Sequence, residues 1–478
     1  MKFSIAVTAG LGVVFFFGCE VGPNYRAPQM RLPSHWQVAP TTQASLVVQQ
    51  PIHIEQWWTS FHDPVLNSLI SQAEAANLDL QAATQRIRQA RATAAFVRGG
   101  LFPSVNATAS YAHQGIGPSQ TNDLWQAGLD ATWELDIFGG TRRAVESANA
   151  SLQASIEDRR DVLITLLGEV ATDYIQLRGY QQEIVISQEN LQVQIHSVDV
   201  TRNKEKLGTG TELDVVQAKS IVDSTEADLE SLQANAQQMI YALSFLLGLP
   251  PAALNKQLTP PGPIPAPPAI VEVGLPSELL RRRPDIRRTE RQVAAATAQI
   301  GVATAQLFPR FFLTGDFNLQ ASNLPQLANW NSRSWSIGPG MNWPIFEGGQ
   351  IRANIEIQNA LQAQALIAYK TTVLSALQEV QNAMVSYAHE QNRRAALAEA
   401  VTTNQRAVVL STRRYNQGLT DFLSVLDAER SLFASQDALV RSNQNVATDA
   451  VALYKALGGG WETMETKAYG RESGQVSK

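Results

Sequence analysis

One cysteine, Cys19, is present in 478 residues, so neither an internal disulfide nor a cysteine-based metal site can form. The six histidines (His35, His53, His62, His113, His196 and His389) are scattered. None forms an HExxH or a His-x-x-x-His pair, and no G-x-S-x-G elbow, Walker loop or dinucleotide fingerprint occurs. No catalytic role is expected of the chain, and no metal or dissociable cofactor. The net charge is −5, which lacks the concentrated basic face that nucleic acid requires. The densest basic run, Arg281, Arg282, Arg283, Arg287 and Arg288, reads as a solvated helix start. Beyond the short stretch Ile5 to Phe17, no apolar run approaches the roughly 20 residues of a membrane-spanning helix. Any crossing of a membrane by the mature protein must therefore use strands.

That short stretch follows Lys2 and has the length of a secretory signal's apolar region. Gly18-Cys19 ends it, where a bacterial lipoprotein signal is cleaved and where the cysteine thiol carries lipid. The preceding Phe16-Phe17-Gly18 departs from the usual small-residue pattern, which leaves a plain signal peptide as the alternative. Residues 1–18 are read as the signal, with Cys19 as the lipidated N-terminus. Glu20 in place of an aspartate argues against retention in the inner membrane.

The chain repeats itself. Leu207-Gly208-Thr209-Gly210-Thr211 through Ala218 resembles Gln417-Gly418-Leu419-Thr420-Asp421 through Ala428 at an offset of about 210 residues. Trp133 pairs with Trp343 at that offset, Leu247-Gly248 with Leu457-Gly458, and Leu101-Phe102-Pro103 with Leu307-Phe308-Pro309 at a slightly smaller one. Each copy, 66–249 and 277–460, reads helix, strand, strand, long helix, break, helix. No proline occurs from Ser119 to Leu249 or from Ile345 to Lys478, so nothing breaks the helices there. Apolar positions step by three and four through Leu163, Leu166, Val170, Tyr174 and Leu177, and again through Tyr369, Val373, Leu377, Val380 and Met384. A helix of about 65 residues is on the order of 100 Å long. Between the copies, 250–276 is a proline-rich linker. The segment 19–65 reads as extended, and 461–478 as a flexible tail.

Four strands are expected, at Ser104 to His113, Leu124 to Asp136, Arg310 to Ala321 and Ser334 to Ile345. The second alternates polar or small residues (Gln126, Gly128, Asp130, Thr132, Glu134) with apolar ones (Trp125, Ala127, Leu129, Ala131, Trp133), as in a membrane barrel with a wet lumen. Trp125, Trp133, Trp335 and Trp343 lie near the strand ends, where aromatic girdles belong. A sandwich hairpin with a buried face is the alternative. Four strands cannot close a barrel, since about eight is the smallest known in membranes, so a barrel needs several chains.

The chain carries Cys19-Glu20-Val21-Gly22-Pro23-Asn24-Tyr25, Trp57-Trp58 with Phe61, Asp63-Pro64 and Leu66, Leu101-Phe102-Pro103-Ser104, Trp133-Glu134-Leu135-Asp136-Ile137-Phe138-Gly139, and Gly274-Leu275-Pro276-Ser277 through Arg282-Arg283-Pro284-Asp285-Ile286. In this order and spacing, these pieces resemble the lipoprotein channels of RND efflux pumps, in the TolC-like outer-membrane factor family. The resemblance runs from Cys19 to about Trp461. It implies a mainly α fold with a membrane β-barrel part: a homotrimer pooling four strands per chain into a twelve-stranded barrel over a periplasmic helical tunnel. Its implied partners are a periplasmic membrane-fusion adaptor, an inner-membrane RND pump and outer-membrane lipid, with no nucleic acid and no cofactor beyond the lipid on Cys19. A duct for metal ions or for type I secretion, and a periplasmic structural coiled coil, are the alternatives.

The resemblance also implies a periplasmic gate at Leu423, Asp427 and Arg430, whose i, i+4, i+7 spacing puts them on one helix face. The first copy has Leu213, Gln217 and Ser220 at these positions, so the shared fold does not need the two charges. An exposed intrahelix ion pair is the alternative reading. Gly208 and Gly418 break their helices at what would be tip turns touching the adaptor, or they simply terminate helices.

Overall fold

The computed structural model describes residues 20–36, 54–115, 121–268, 271 and 273–462. Cys19, the signal segment and 463–478 lie outside them. The described chain is mainly helical, with one antiparallel sheet of four strands.

Each copy begins with two successive helices separated by a one-residue break. In the first, Asp63 caps α1 (Pro64–Ala76) by accepting from Val65 N–H and Leu66 N–H, with Pro64 preset for the first turn. The Trp57–Phe61 turn and the start of α1 show that the end of the segment read as extended is helical. Asn77 breaks the chain before α2 (Leu78–Gly99). Two strands follow, β1 (Ser104–Gly115) and β2 (Thr121–Leu135), then the long α3 (Gly140–Lys206) and α4 (Glu212–Leu246). The linker holds one short turn, α5 (Asn255–Leu258). The second copy runs through α6 (Leu279–Arg282), α7 (Pro284–Ala305), β3 (Arg310–Ala321), the turn α8 (Leu324–Leu327), β4 (Arg333–Asn342), α9 (Gln350–Asn416) and α10 (Leu423–Ala456). Helices α3 and α9 have 67 residues each, as their proline-free sequences allow. Strand β4 stops short of the expected Ile345 because Pro344 has no N–H to donate to a ladder. No described helix is long and apolar enough to cross a membrane.

The chain divides into two units, each with its own packing. One comprises the described residues up to Gln29, Arg86–Ser155 and Arg288–Tyr369, and contains the sheet, in the order β1-β2-β3-β4. The register decides what each face carries. Asn106, Asp130 and Asp316 stand in one row, as do Thr108, Gly128 and Asn318; Asp316 in turn faces Ser336. The opposite face carries Val105 with Ala131, Tyr111 with Trp125, Leu129 with Phe317, and Phe317 with Trp335. One face is thus polar and the other apolar, yet no strand residue is buried. Trp335 and Ile337 are each 68% exposed. This excludes the sandwich hairpin, whose apolar face would be covered. At the foot of the sheet the two copies repeat one contact. Trp133 Nε1 donates to Leu101 O at 3.0 Å, and Trp343 Nε1 to Leu307 O at 3.1 Å.

The N-terminal segment from Glu20, which forms no strand, belongs to this unit. Val21 N–H donates to Phe138 O, and Arg143, itself buried, holds Val21 O and Asn24 Oδ1. Gly22, at φ +89°, approaches Gly301 so closely that a Cβ would lie 2.5 Å from the Gly301 Cα, which only glycine allows.

The second unit takes Met30–Gln85, Ile156–Arg287 and the chain from Lys370. Its core is apolar and dense: Leu66, Leu69, Ile70, Leu163, Val170, Tyr174, Val380, Tyr387, Val446 and Ala450 are buried, the positions that the three-and-four stepping selects. Trp57 stacks on Tyr454, with ring centroids 5.3 Å apart.

Two readings of the sequence are corrected here. The basic run is not a solvated helix start. Arg283 is buried, bonded to Asp285 and Glu379 and donating to Ala456 O, and Arg287 pairs with the nearly buried Glu157. Trp461 is not part of a flexible tail. It is buried between the guanidinium groups of Arg160 and Arg287, and its indole donates to Arg282 O.

Candidate functional site

The two long helices end on the same device. Gly208 and Gly418 both have φ +71°, a left-handed conformation that a Cβ-bearing residue enters at a cost of about 1–2 kcal/mol. Thr209 N–H then donates to Lys204 O, and Leu419 N–H to Arg414 O, both at 2.9 Å. These bonds occupy carbonyls that the helix end leaves open. The chain re-enters helix within a few residues. In the first copy Thr211 and Asp214 form a reciprocal capping box at the start of α4. In the second, Asp421 Oδ1 accepts from the Ser424 N–H and hydroxyl.

A small apolar cluster ties these ends together: Val198 from α3, Ala218 from α4, Tyr415 from α9, and Phe422, Val425 and Leu426 at the start of α10. Lys204 adds a polar tie across the copies. Its Nζ donates to Tyr415 O at 3.0 Å and lies 3.4 Å from the Tyr415 ring centroid, a cation–π distance. Burial, and then the nearby Asp214, push the Tyr415 phenol upward in pKa. Glu429 is buried too. Ser197 Oγ donates to it at 3.1 Å, and desolvation raises its pKa against that bond.

The candidate gate residues share the other face of α10. Leu423, Asp427 and Arg430 are exposed, while Val425, Leu426 and Glu429 between them are buried. Among the described residues neither Asp427 nor Arg430 has an ion-pair partner, although they are spaced for an intrahelix pair. The leucines of the turns are exposed as well: Leu207 by 78% and Leu419 by 64%. A Cβ on Gly208 or Gly418 would meet nothing within 4 Å. The structure thus groups Gly208, Gly418 and the three gate positions around one pair of turns, and Cys19 lies outside the described residues. Sequence reading passed over Lys204, Tyr415, Ser197 and Glu429. The one signal available was a glutamate at a position that the helical period assigns to the packed side of α10. Among the described residues no group of acidic, histidine or cysteine side chains is arranged to hold a metal ion.

The description "outer membrane efflux protein" names the family that matches residues 69–249 and 275–459, one block per copy. The chain belongs to this family. Among similar relatives, nodulation protein T of Rhizobium leguminosarum bv. trifolii is 32% identical, over 93% of this chain and 95% of its own length. The antibiotic efflux pump outer membrane protein ArpC of Pseudomonas putida is 30% identical, over 99% of each. The solved structure of the outer-membrane channel OprN covers 93% of this chain and 100% of its own, with a TM-score of 0.87 and 37% identity. An outer membrane efflux protein is a channel component, and the helices and four-stranded sheet described above match that of its family's solved channels.

Proposed function

We propose that the chain is the outer-membrane exit duct of a tripartite RND-type efflux system, carrying small molecules from the periplasm to the exterior. The observation that carries this reading is the sheet. It has a polar face, an apolar face, no buried residue and two unpaired edges, β1 and β4. In lipid an open edge leaves N–H and C=O groups unsatisfied at several kcal/mol each, so the strands must close on others. Three chains closing edge to edge give twelve strands, with Asp130, Asp316, Thr108 and Ser336 facing water and Leu129, Ile337 and Trp335 facing lipid.

The same reading accounts for the chain's start. Val21 N–H bonds Phe138 O just beyond the end of β2, which supports a lipid on Cys19 entering the bilayer at the foot of the barrel. The long helices then continue as a periplasmic tunnel, and the turns at Gly208 and Gly418 present exposed leucines to a membrane-fusion adaptor. With no catalytic site of its own, the duct draws its energy from the inner-membrane pump, which also selects the cargo.

Closure falls to Leu423, Asp427 and Arg430. Repeated by threefold symmetry, the leucines form an apolar constriction that disfavours water. The aspartates form a like-charge ring that needs a counter-charge, from Arg430 or a cation. The absence of an Asp427–Arg430 pair among the described residues favours the gate over the intrahelix ion pair. The test has two arms. The protein is expected to leave outer membranes only with detergent, as an SDS-resistant trimer; a monomer released by salt overturns the duct. The double variant Leu423→Ala with Asp427→Ala is expected to raise single-channel conductance and admit large antibiotics. Unchanged conductance and exclusion would overturn the gate while leaving the duct standing.

A further inference from the structure

On the apolar face of the sheet, acidic and basic side chains are confined to one end. Among the described strand residues of that face they are His113, Asp123 and Arg333. All lie near the two hairpin connections, at the end opposite the helices that feed the strands. Two of them answer each other. His113 Nδ1 lies 2.6 Å from Asp123 Oδ1, and the Tyr111 hydroxyl donates to the same oxygen at 3.1 Å. Arg333 has no such answer. It forms no ion pair among the described residues, and its row of the sheet continues through Leu319, Ala127 and Ala109.

The guanidinium is nevertheless held in place. Its Nη1 donates to Trp330 O at 2.7 Å, and Cζ lies 4.4 Å from the Trp330 ring centroid, a cation–π distance. The connection that carries Trp330 is itself braced. Ser332 Oγ donates to Gln326 O, and Asn323 Oδ1 accepts from Gln326 N–H. A guanidinium has five N–H donors, so this exposed one is oriented yet keeps donors for a second partner. One row nearer the helices, the same face presents Trp335, Phe317 and Leu129, all exposed.

An unanswered cation thus stands at the head of an aromatic and aliphatic strip. A soluble anion would leave the strip bare, and a neutral lipid would leave the guanidinium without counter-charge. An amphiphile with an anionic head satisfies both, and phosphate suits the planar fork of arginine. We propose that Arg333 and Trp330 bind the headgroup phosphate of an outer-leaflet lipid, whose acyl chain lies along Trp335 and Phe317. The inference rests on the duct reading, which puts this face in lipid and this end outward.

The test is native mass spectrometry of the full-length protein in detergent, titrated with lipid A, a phosphorylated glucosamine lipid. Saturable binding approaching one lipid A per chain is expected. Arg333→Gln should weaken it about tenfold or more, as loss of a charge-assisted bond implies. Trp335→Ala should weaken it as well, and both side chains are exposed, so melting should stay put. Dephosphorylated lipid A should bind poorly, and inorganic phosphate in hundredfold excess should leave lipid A in place. The proposal is overturned if wild type takes up no lipid A saturably, or if either variant binds as wild type does. Equal uptake of the dephosphorylated lipid would overturn it too, and so would displacement by inorganic phosphate, which would make this a free-anion site. A monomer released from membranes by salt overturns the duct; a trimer that needs detergent and ignores lipid A overturns this site alone.

Discussion

The two copies of the repeat share a backbone and differ in charge, and the difference separates what the fold needs from what was added to it. The shared features match closely. Both long helices have 67 residues, both turn glycines have φ +71°, and both tryptophans at the foot of the sheet donate to the corresponding leucine carbonyl. A fourth correspondence is less visible. Asn77 Nδ2 donates to Leu246 O in the first copy, and Arg283 Nη1 donates to Ala456 O in the second. Each side chain occupies a carbonyl at the end of its copy's last helix, where the helix dipole favours positive partial charge. The first copy does this with a neutral amide. The second uses a guanidinium, and then needs Asp285 and Glu379 to balance it.

That contrast gives the largest predicted effect. Arg283→Ala removes the buried guanidinium that pairs with Asp285 and Glu379 and opens the Ala456 carbonyl, a loss of about 3–5 kcal/mol of apparent stability. Asn77→Ala removes neutral bonds only and should cost about 1–3 kcal/mol. Urea melts of the detergent-solubilised variants give the ranking. If the asparagine variant falls as far as the arginine one, the two positions are equivalent in energy as well as in place, and the charge adds nothing.

The turn glycines test the shared part of the comparison. Neither Gly208 nor Gly418 has an atom within 4 Å of a would-be Cβ, so Gly→Ala meets only backbone strain. The two substitutions should therefore lower stability equally, by about 1–2 kcal/mol each. Unequal losses would mean that one turn is packed against something the other is not.

Smaller again is the pH effect of two unmatched aspartates. Asp173 in α3 corresponds to Ala383 in the other copy, and Asp449 in α10 corresponds to Met239. Burial first, then Glu169, pushes the Asp173 carboxyl up to about 6, and burial with Glu390 does the same for Asp449. The folded state therefore binds these protons more tightly than the unfolded one. Their stabilisation is complete below the unfolded value of 3.8, declines as pH rises, and is gone above about 6. Both groups are partly solvated, so Asp173→Asn should raise stability at pH 7 by only roughly 1 kcal/mol. It should also flatten the curve of melting temperature between acid and neutral pH. A curve unchanged by both asparagine substitutions would remove these groups as the source.

The correspondence itself was legible in the sequence because its signals are local: glycine at the turn, tryptophan near a strand end, period two in β2, and steps of three and four in the helices. The exposed face of α10 followed from the same periodicity. What the sequence hid depends on partners far along the chain. The basic run read as solvated because Glu157, Glu379 and Trp461, which bind it, lie 96 to 179 residues away in the pairs formed with Arg287, Arg283 and Arg282. No pattern within a window of helix marks Lys204 for Tyr415 or Ser197 for Glu429, since each pair joins the end of one copy to the other.

The finest test exchanges the tips. Asp427→Gln with Arg430→Ser gives the second copy the side chains of the first at those positions. Both residues are exposed and lack ion-pair partners among the described residues, so the fold should notice little, within about 0.5 kcal/mol. The leucine at Leu423 remains, which isolates the charges from the apolar constriction. If the charges close the duct, conductance should rise and its preference for cations should fall while melting stays put. The converse graft, Gln217→Asp with Ser220→Arg, should leave conductance alone, because the first copy's leucine at Leu213 is held on a different helix. Melting that shifts together with conductance would assign Asp427 and Arg430 to packing. Conductance unmoved at constant stability would leave closure to Leu423 alone.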